Sequence, residues 1–525
     1  EYYASGVNGC LLAMVMGLGK TPTAATLVAK TLMQQRSAGS CTIYVCPKNL
    51  LGTVRHQFEK FFGDQLRIII YHQNFLRSEY NTFGAKDIRK YDVIITNYST
   101  VTSRMQAYNK TVGSSKSNAT RDDASVERRN GGYLAPAIRE FCEFEWFRII
   151  LDESHEIRER RTARFRTLMQ MQSPRRICLT GTPIHNKIND LYSQMEFCGL
   201  RLPRGTKQNK PNLHQFKITN MIKFVEYKDA ESVTLPPKHV HKVYFDLSDE
   251  EKLLHRFYTD SARSVFSQSQ GESGRNKGKK TLEALAGMVR VLQVCSAPYL
   301  VTPASKEADV SDDMCELDPA VVFPSDPRIN HWINQRNGTA GLHSSKMREF
   351  VRLMASLRQR YETERVPLKV VVFANMTCTL RLAQGALEAA LSGYDQRTVL
   401  VTGDIATPKR EELFTRFRIE PEVETLFMTL KLGSMGLNLT EADTVIFLEP
   451  WYSYASLSQG ESRVHRIGQV REVNVYYLLG KDSAEERVYR VAQNKKTLSE
   501  DIKNGTSDVH KLQPSEMRFI LMEAD

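Results

Sequence analysis

A chain of 525 residues exceeds what one ordinary hydrophobic core organises, so two or three domains are expected. Hydrophobic residues make up 41% and charged residues 25%, the balance of a globular protein, and no apolar run reaches membrane-spanning length. A net charge of +12 favours an anionic partner such as nucleic acid. The nine cysteines form no CxxC pair and no cluster with histidine, which excludes a disulfide framework and a zinc site and points to a reducing compartment.

The first motif lies near the amino end. The apolar run Cys10–Ala13 leads through Gly17-Leu18-Gly19-Lys20-Thr21 into the helical stretch Thr23–Met33, the order strand, loop, helix that a phosphate loop needs. Gly17 and Gly19 let backbone N–H groups approach phosphate, and the helix amino end adds positive potential. Lys20 then suits the β- and γ-phosphates of ATP, and the Thr21 hydroxyl suits Mg²⁺. The pattern prefers a small residue where Met14 stands. Because the chain opens at Glu1 with no initiator Met, some preceding sequence is expected to be missing.

Apolar, β-branched runs follow at Cys41–Cys46, Leu66–Tyr71, Tyr91–Thr96, Phe147–Leu151 and Arg176–Leu179, with amphipathic stretches between them. They read as buried parallel strands. The polar stretch Ser103–Gly132 reads as a flexible surface insertion. Asp152-Glu153-Ser154-His155 closes one strand, placing Asp152 for a metal and Glu153 to orient or activate a water. A plain acidic turn is the bland alternative. The basic run Arg158, Arg160, Arg161, Arg164 and Arg166 reads first as a solvated face. Leu179-Thr180-Gly181-Thr182-Pro-Ile-His185-Asn186 offers two hydroxyls at a strand end, suited to coupling nucleotide state to movement.

Two further polar stretches, Ser267–Lys280 and the acidic, proline-containing Thr302–Pro327, read as loops or linkers. A second set of strand-like runs then appears at Lys369–Phe373, Thr398–Thr402, Glu424–Met428, Thr444–Leu448 and Asn474–Leu479. The expected fold class is therefore α/β, with two doubly wound parallel sheets that bind ligand at the carboxyl ends of their strands. Gly433, Gly436 and Asn438 form a tight loop suited to backbone contact with DNA or nucleotide. The closing pattern Gln459-xxx-Arg463-xx-Arg466-x-Gly468-Gln469 places two arginines three apart, on one face of a predicted helix.

Gly17–Thr21, Asp152–His155, Leu179–Asn186 and Gln459–Gln469 together resemble the SWI/SNF-related family of helicase-like, ATP-dependent DNA translocases in helicase superfamily 2. The resemblance runs from about Tyr3 to about Leu479 and includes the family's LTGTPIQN segment, with His185 replacing Gln. It implies a first RecA-like lobe over 1–234, with the insertion 103–132. A helical protrusion and linker would follow over 235–340, a second RecA-like lobe over 341–500 and a tail over 501–525.

ATP and Mg²⁺ would be held by Lys20, Thr21, Asp152 and Glu153 on one side, and by Gln459, Gly436, Arg463 and Arg466 on the other. His155, Thr180, Gly181 and Thr182 would couple hydrolysis to lobe movement. Lys48, Thr96, Asn97, Gly403, Arg410, Gly433 and Asn438 would contact double-stranded DNA. The resemblance further implies pulling of duplex without strand separation. Chromatin, DNA repair or transcription would be the setting, and the nucleus or a viral replication compartment the place, with no membrane and no zinc.

Some positions depart from the family. Met14 and Val15 stand where it carries Asp-Glu, Tyr3 where it carries an adenine-reading Gln, and Val54 where it carries Trp. The alternatives are a strand-separating helicase or restriction-type motor, and a catalytically weak DNA-binding scaffold. The Glu449-Pro-Trp segment and the insertion resemble the repair-associated branch, although the cysteine spacing excludes that branch's RING.

Overall fold

The computed structural model describes residues 9–14, 18–34, 41–116, 136–181, 188–200, 222–225, 235–271, 274–301, 344–433, 437–504 and 519–520. The chain divides into two compact units, Glu1–Val233 with Leu498–His510, and Thr234–Thr497 with Lys511–Asp525.

In the first unit, β1 (Gly9–Met14), β2 (Thr42–Cys46), β3 (Ile68–Ile70), β4 (Val93–Asn97), β5 (Arg148–Asp152), β6 (Arg176–Thr180) and β7 (Ile222–Val225) form one sheet. Its order is β3-β4-β2-β5-β6-β1-β7, and every pairing is parallel. Helices longer than one turn are α1 (Lys20–Gln34), α2 (Leu51–Phe62), α3 (Tyr98–Lys116), α4 (Pro136–Glu143), α5 (Ala163–Gln170) and α6 (Ile188–Phe197).

Two cores result from strand alternation. Ile43, Val45, Ile94, Ile149, Leu151 and Cys178 point to the face covered by α3 to α6. Tyr44, Cys46, Val93, Ile95, Ile150 and Ile177 point to the face covered by α1 and α2. Gly9 is required where it stands, because a Cβ there would fall 1.7 Å from the Cys198 carbonyl oxygen.

The second unit repeats the plan. Its strands are β8 (Lys238–Phe245), β9 (Val370–Ala374), β10 (Thr398–Val401), β11 (Thr425–Thr429), β12 (Thr444–Phe447) and β13 (Val473–Gly480), in the order β10-β11-β9-β12-β13-β8, again all parallel. Its helices are α7 (Asp249–Gln270), α8 (Gly274–Ser296), α9 (Ser345–Glu364), α10 (Thr377–Ala390), α11 (Thr407–Ile419), α12 (Tyr454–Val464) and α13 (Ala484–Asn504). Val371, Phe373, Val445 and Phe447 pack on one face, and Val370, Val372, Ile446 and Leu448 on the other. The α/β class with two parallel sheets is thus as expected.

Three differences from the sequence reading have physical causes. The start of the supposed insertion, from Ser103 to Lys116, is the body of α3. Val101, Met105 and Tyr108 recur there at helical spacing and pack on the core, a stripe masked by many polar neighbours. The rest of that insertion lies outside the described residues, as does Thr302–Pro327. Ser267–Gln270 and Gly274–Lys280 belong to α7 and α8, which pair around Tyr258, Ala262, Phe266, Ala284, Met288 and Val291. Finally, β7 and β8 are strands that the pattern did not announce. β8 is an edge strand, exposed along most of its length, so it lacks an apolar signature.

The α7–α8 pair is tied to the second sheet by a neutral histidine. His255 on α7 accepts the Ala484 N–H at the start of α13 through Nε2, at 3.1 Å. Burial, together with the Arg487 charge, lowers its pKa from 6.5 to about 4. The folded state therefore resists a proton that the unfolded chain accepts. This contribution is complete above pH 6.5 and is lost as pH falls from 6.5 to about 4, by about 3 kcal/mol. His255→Gln keeps an acceptor without the titration. Denaturant unfolding at pH 7 and pH 5 is expected to show a pH slope flatter by up to one proton in this variant.

Candidate functional site

The carboxyl edge of the first sheet gathers most of the residues singled out in that unit. β1 ends at Met14, whose side chain is buried and whose register partner is Val225 on β7. A long side chain thus fits there because it completes the strand instead of lining the loop. Gly17 and Val15 lie outside the described residues, as does Tyr3. Gly19 has φ +86°, a conformation that favours glycine, and its carbonyl accepts both the Thr23 N–H (3.0 Å) and the Thr23 hydroxyl (2.9 Å) as α1 begins. Lys20 is buried at the first position of α1, with Nζ 3.5 Å from the Met14 carbonyl oxygen. Leu18 and Thr21 are half-buried beside it.

Asp152 is the last residue of β5. Its Oδ2 accepts the Tyr44 hydroxyl (2.8 Å), its Oδ1 accepts the Glu153 N–H (2.9 Å), and its carbonyl accepts the Tyr98 hydroxyl (2.7 Å). Burial and the neighbouring Glu153 charge push the Asp152 carboxyl up to about 6, against the opposing pull of Lys20 and Tyr44. Glu153 adopts a left-handed conformation (φ 49°, ψ 50°), which a non-glycine residue holds at a cost of about 1–3 kcal/mol. That turn carries Glu153 off the strand and brings its Oε2 within 3.3 Å of His155 Nδ1.

Ser154 donates to Gln194 Oε1 on α6 at 2.6 Å, which anchors the turn from below. Thr180 is buried at the end of β6, in register with Ala13 of β1, while Leu179 is in register with Asp152. Gly181 follows it, and Thr182 lies outside the described residues. Lys20, Thr21, Asp152, Glu153, His155 and Thr180 thus share one edge.

These groups fit a small hard cation. The donors available are all oxygens, namely the Thr21 hydroxyl and the Asp152 and Glu153 carboxylates. Two adjacent buried carboxylates, one pushed up by burial and by the other's charge, leave negative charge that a divalent ion would relieve. Among the described residues no group of three His, Cys, Asp or Glu side chains could hold a metal alone. Mg²⁺, which keeps waters and shares itself with phosphates, does not need such a cage.

The residues assigned to DNA in the first unit separate into two kinds. Lys48 is exposed just past β2. Thr96 and Asn97 are buried and already used, contrary to expectation. The Thr96 hydroxyl donates to the Tyr71 carbonyl (2.8 Å), and Asn97 Oδ1 accepts the Thr100 N–H (2.7 Å), capping α3. The arginine run is partly paired, with Arg160 on Glu196 (2.6 Å), Arg164 on Glu156 and Arg166 on the Arg161 carbonyl.

In the second unit, Gly403 is exposed after β10 with open space around it, Arg410 is half-buried on α11 and Asn438 is exposed. Gly433 is instead a packing residue: a Cβ there would lie 3.0 Å from the Phe373 ring and 3.8 Å from Gly460. Gly436 lies outside the described residues.

The arginine pair does not share a helical face. Gln459 and Arg463 are buried on α12, but the helix stops at Val464 because His465 leaves helical geometry (φ −87°, ψ 87°). Arg466 therefore sits past the helix end, where its Nη1 donates to the Leu437 carbonyl at 2.8 Å. Gln469 organises this segment, a role its sequence position did not reveal. Its Nε2 reaches the Ala442 carbonyl at 2.7 Å and its Oε1 accepts the Val470 and Arg471 N–H groups, both at 2.9 Å. Glu461, also missed, accepts the Tyr477 hydroxyl (2.7 Å) and pairs with Lys238. Only its place between Gln459 and Arg463 hinted at it.

The sequence is similar to known proteins. The sequence model of the SNF2-related domain matches residues 2–300, and that of the helicase conserved C-terminal domain matches residues 346–468. A protein of Invertebrate iridescent virus 6 named as a candidate helicase, 172L, is 27% identical over 93% of this chain and 84% of its own length. DNA repair protein rad8 of Schizosaccharomyces pombe is 25% identical over 71% of this chain and 42% of its own. ATP-dependent helicase FUN30 of Saccharomyces cerevisiae is 24% identical over 96% and 47%. The chain thus spans most of the viral relative but less than half of these two cellular ones. With the SNF2-related match covering more than half of its residues, and the helicase C-terminal match most of its second sheet, the chain belongs to the SNF2-related family of helicase-like proteins.

Proposed function

We propose that this protein is a DNA-dependent ATPase that translocates on double-stranded DNA. The observation that carries the reading is the shared carboxyl edge of β1, β5 and β6, where Gly19-Lys20-Thr21 faces Asp152-Glu153 and Thr180. Lys20 and the amino end of α1 bind the phosphates. Thr21 and Asp152 would hold Mg²⁺, whose charge offsets that of the β- and γ-phosphates. Glu153 orients the attacking water and takes its proton, with His155 at 3.3 Å steadying the carboxylate.

Arg463 and Arg466 stabilise charge developing on the transferred phosphoryl group. They belong to the second unit. Lys48, Gly403, Arg410 and Asn438 grip the duplex backbone, where the net charge of +12 also favours binding. The relatives' names support a setting in DNA repair or chromatin remodelling, in the nucleus or in a viral replication compartment.

Lys20→Ala and Glu153→Gln are each expected to cut ATP turnover to roughly a hundredth or less, with unchanged circular dichroism. Glu153→Gln should still bind ATP. Near wild-type turnover in both variants would show that this edge does not hydrolyse ATP.

Duplex DNA is expected to stimulate turnover above single-stranded DNA or RNA, and raised salt to weaken the effect. A triplex-displacement assay should be positive and a forked-duplex assay negative. Efficient unwinding would instead identify a strand-separating helicase, and absent turnover with retained DNA binding a scaffold.

Arg466→Lys keeps the charge but loses the planar fork. A transition-state role predicts a large loss of turnover, up to the order of 10³-fold or more, with nucleotide binding weakened only modestly. Normal turnover on duplex DNA would leave the arginine a structural role, holding the Leu437 carbonyl.

A further inference from the structure

Tyr44 is a phenol in a layer of aliphatic and thiol side chains. It is fully buried in the middle of β2, on the face covered by α1 and α2, with its ring edge-on to Phe58 (5.6 Å between centroids, 83° between planes). Its register partner on β5 is Ile150, and Asp152 lies two residues further along on the same face. A ring leaning toward the strand's carboxyl end spans that two-residue rise of roughly 6.6 Å and delivers its hydroxyl to the carboxylate. The Tyr44 hydroxyl accordingly donates to Asp152 Oδ2 at 2.8 Å.

A phenylalanine would fill the same space without the burden of a buried hydroxyl. What the hydroxyl adds is a hydrogen bond from the interior of the sheet to the Asp152 carboxylate. Asp152 accepts on Oδ2 from Tyr44 and on Oδ1 from the Glu153 N–H, and this fixes the plane of the carboxylate. The Tyr98 bond to the Asp152 carbonyl fixes the backbone beneath it.

We propose that Tyr44 is a positioning residue of the cation site, holding the Asp152 carboxylate in place for one small divalent ion. The assignment rests on the nucleotide-site reading above. Tyr44 acts through Asp152 and touches neither ion nor nucleotide. Small ions such as Mg²⁺ and Mn²⁺ demand a stricter donor geometry than Ca²⁺, so they gain most from such pre-setting.

The test uses the full chain as wild type, Tyr44→Phe, Asp152→Asn and the double variant. Mn²⁺ is titrated by electron paramagnetic resonance with a non-hydrolysable ATP analogue present, and metal-free analogue binding and thermal melting are measured alongside. Tyr44→Phe is expected to raise the half-saturating Mn²⁺ concentration about tenfold, with metal-free analogue binding and melting close to wild type. In the Asp152→Asn background it is expected to add less than about twofold, because the bond it removes has lost its charged acceptor.

An unchanged or lower half-saturation overturns the assignment while the nucleotide site stands. So does an equal effect in the Asp152→Asn background, or a parallel loss of metal-free analogue binding, since each marks a merely structural residue. A wild-type chain that binds neither analogue nor Mn²⁺ overturns both readings.

Discussion

A parallel sheet covered on both faces spends its side chains on two cores, and this constraint governs where chemistry can occur in the protein. In the first unit every residue of β2, β4 and β5 is buried, and alternate positions enter opposite clusters. Polar groups then escape only at the carboxyl ends, where the strands stop and the backbone turns. Asp152 is the clearest case. It belongs to β5 by register, yet it is the residue at which the chain leaves the sheet, through the left-handed turn at Glu153.

The second unit shows what the same constraint does to charges that do not escape. Lys346 is fully buried and answers Glu485, the Leu448 carbonyl (2.7 Å) and the Ser296 hydroxyl. Glu449 accepts from Ser296, Thr379 and the Asn375 and Met376 N–H groups, so one carboxylate caps the start of α10 and holds the end of α8. Lys369 donates to three carbonyls, those of Phe417, Glu420 and Val423, where α11 runs out. Removing one member of such a buried pair costs about 3–5 kcal/mol, although the intact pair adds little net stability. These groups therefore act chiefly to specify which elements meet, fastening the α7–α8 pair and the flanking helices to the sheet.

Periodicity made the buried strands legible in the sequence, because five residues of aliphatic side chain admit few other uses. The segments Gly17–Thr21 and Asp152–His155 stood out for a related reason: each is a short polar sequence directly after a buried strand, where the chain leaves the sheet. Other features were hidden by physics that operates between distant residues. Thr96 and Asn97 look like free hydrogen-bonding groups until Tyr71 and the start of α3 claim them. The β8 strand has a mixed, exposed composition because only one edge of it is paired. The α3 stripe was obscured by polar residues on its solvent side. Arg463 and Arg466 stand three apart, but a helix face requires helical backbone at His465, and that residue instead turns to offer Nε2 to the Pro236 carbonyl at 2.8 Å.

The break after Val464 also bears on how Arg463 and Arg466 are held. Gly460, one turn before it, is closely packed, since a Cβ there would lie 3.2 Å from both Leu430 and Phe447 and those side chains would have to give way. The α12 backbone is thus pressed against the sheet at Gly460 and pinned at Glu461 by Tyr477 and Lys238. The Arg463 carbonyl holds the Leu439 N–H at 3.0 Å, and Gln469 ties the following turn to the Thr440–Ala442 segment. Arg463 is therefore carried by a rigid support, as Arg466 is by the clamped turn. Neither backbone can shift within the unit without opening close packing or buried hydrogen bonds, whose loss costs more than a surface contact returns. Any change in what these arginines reach must come from side-chain rotation or from motion of the unit as a body.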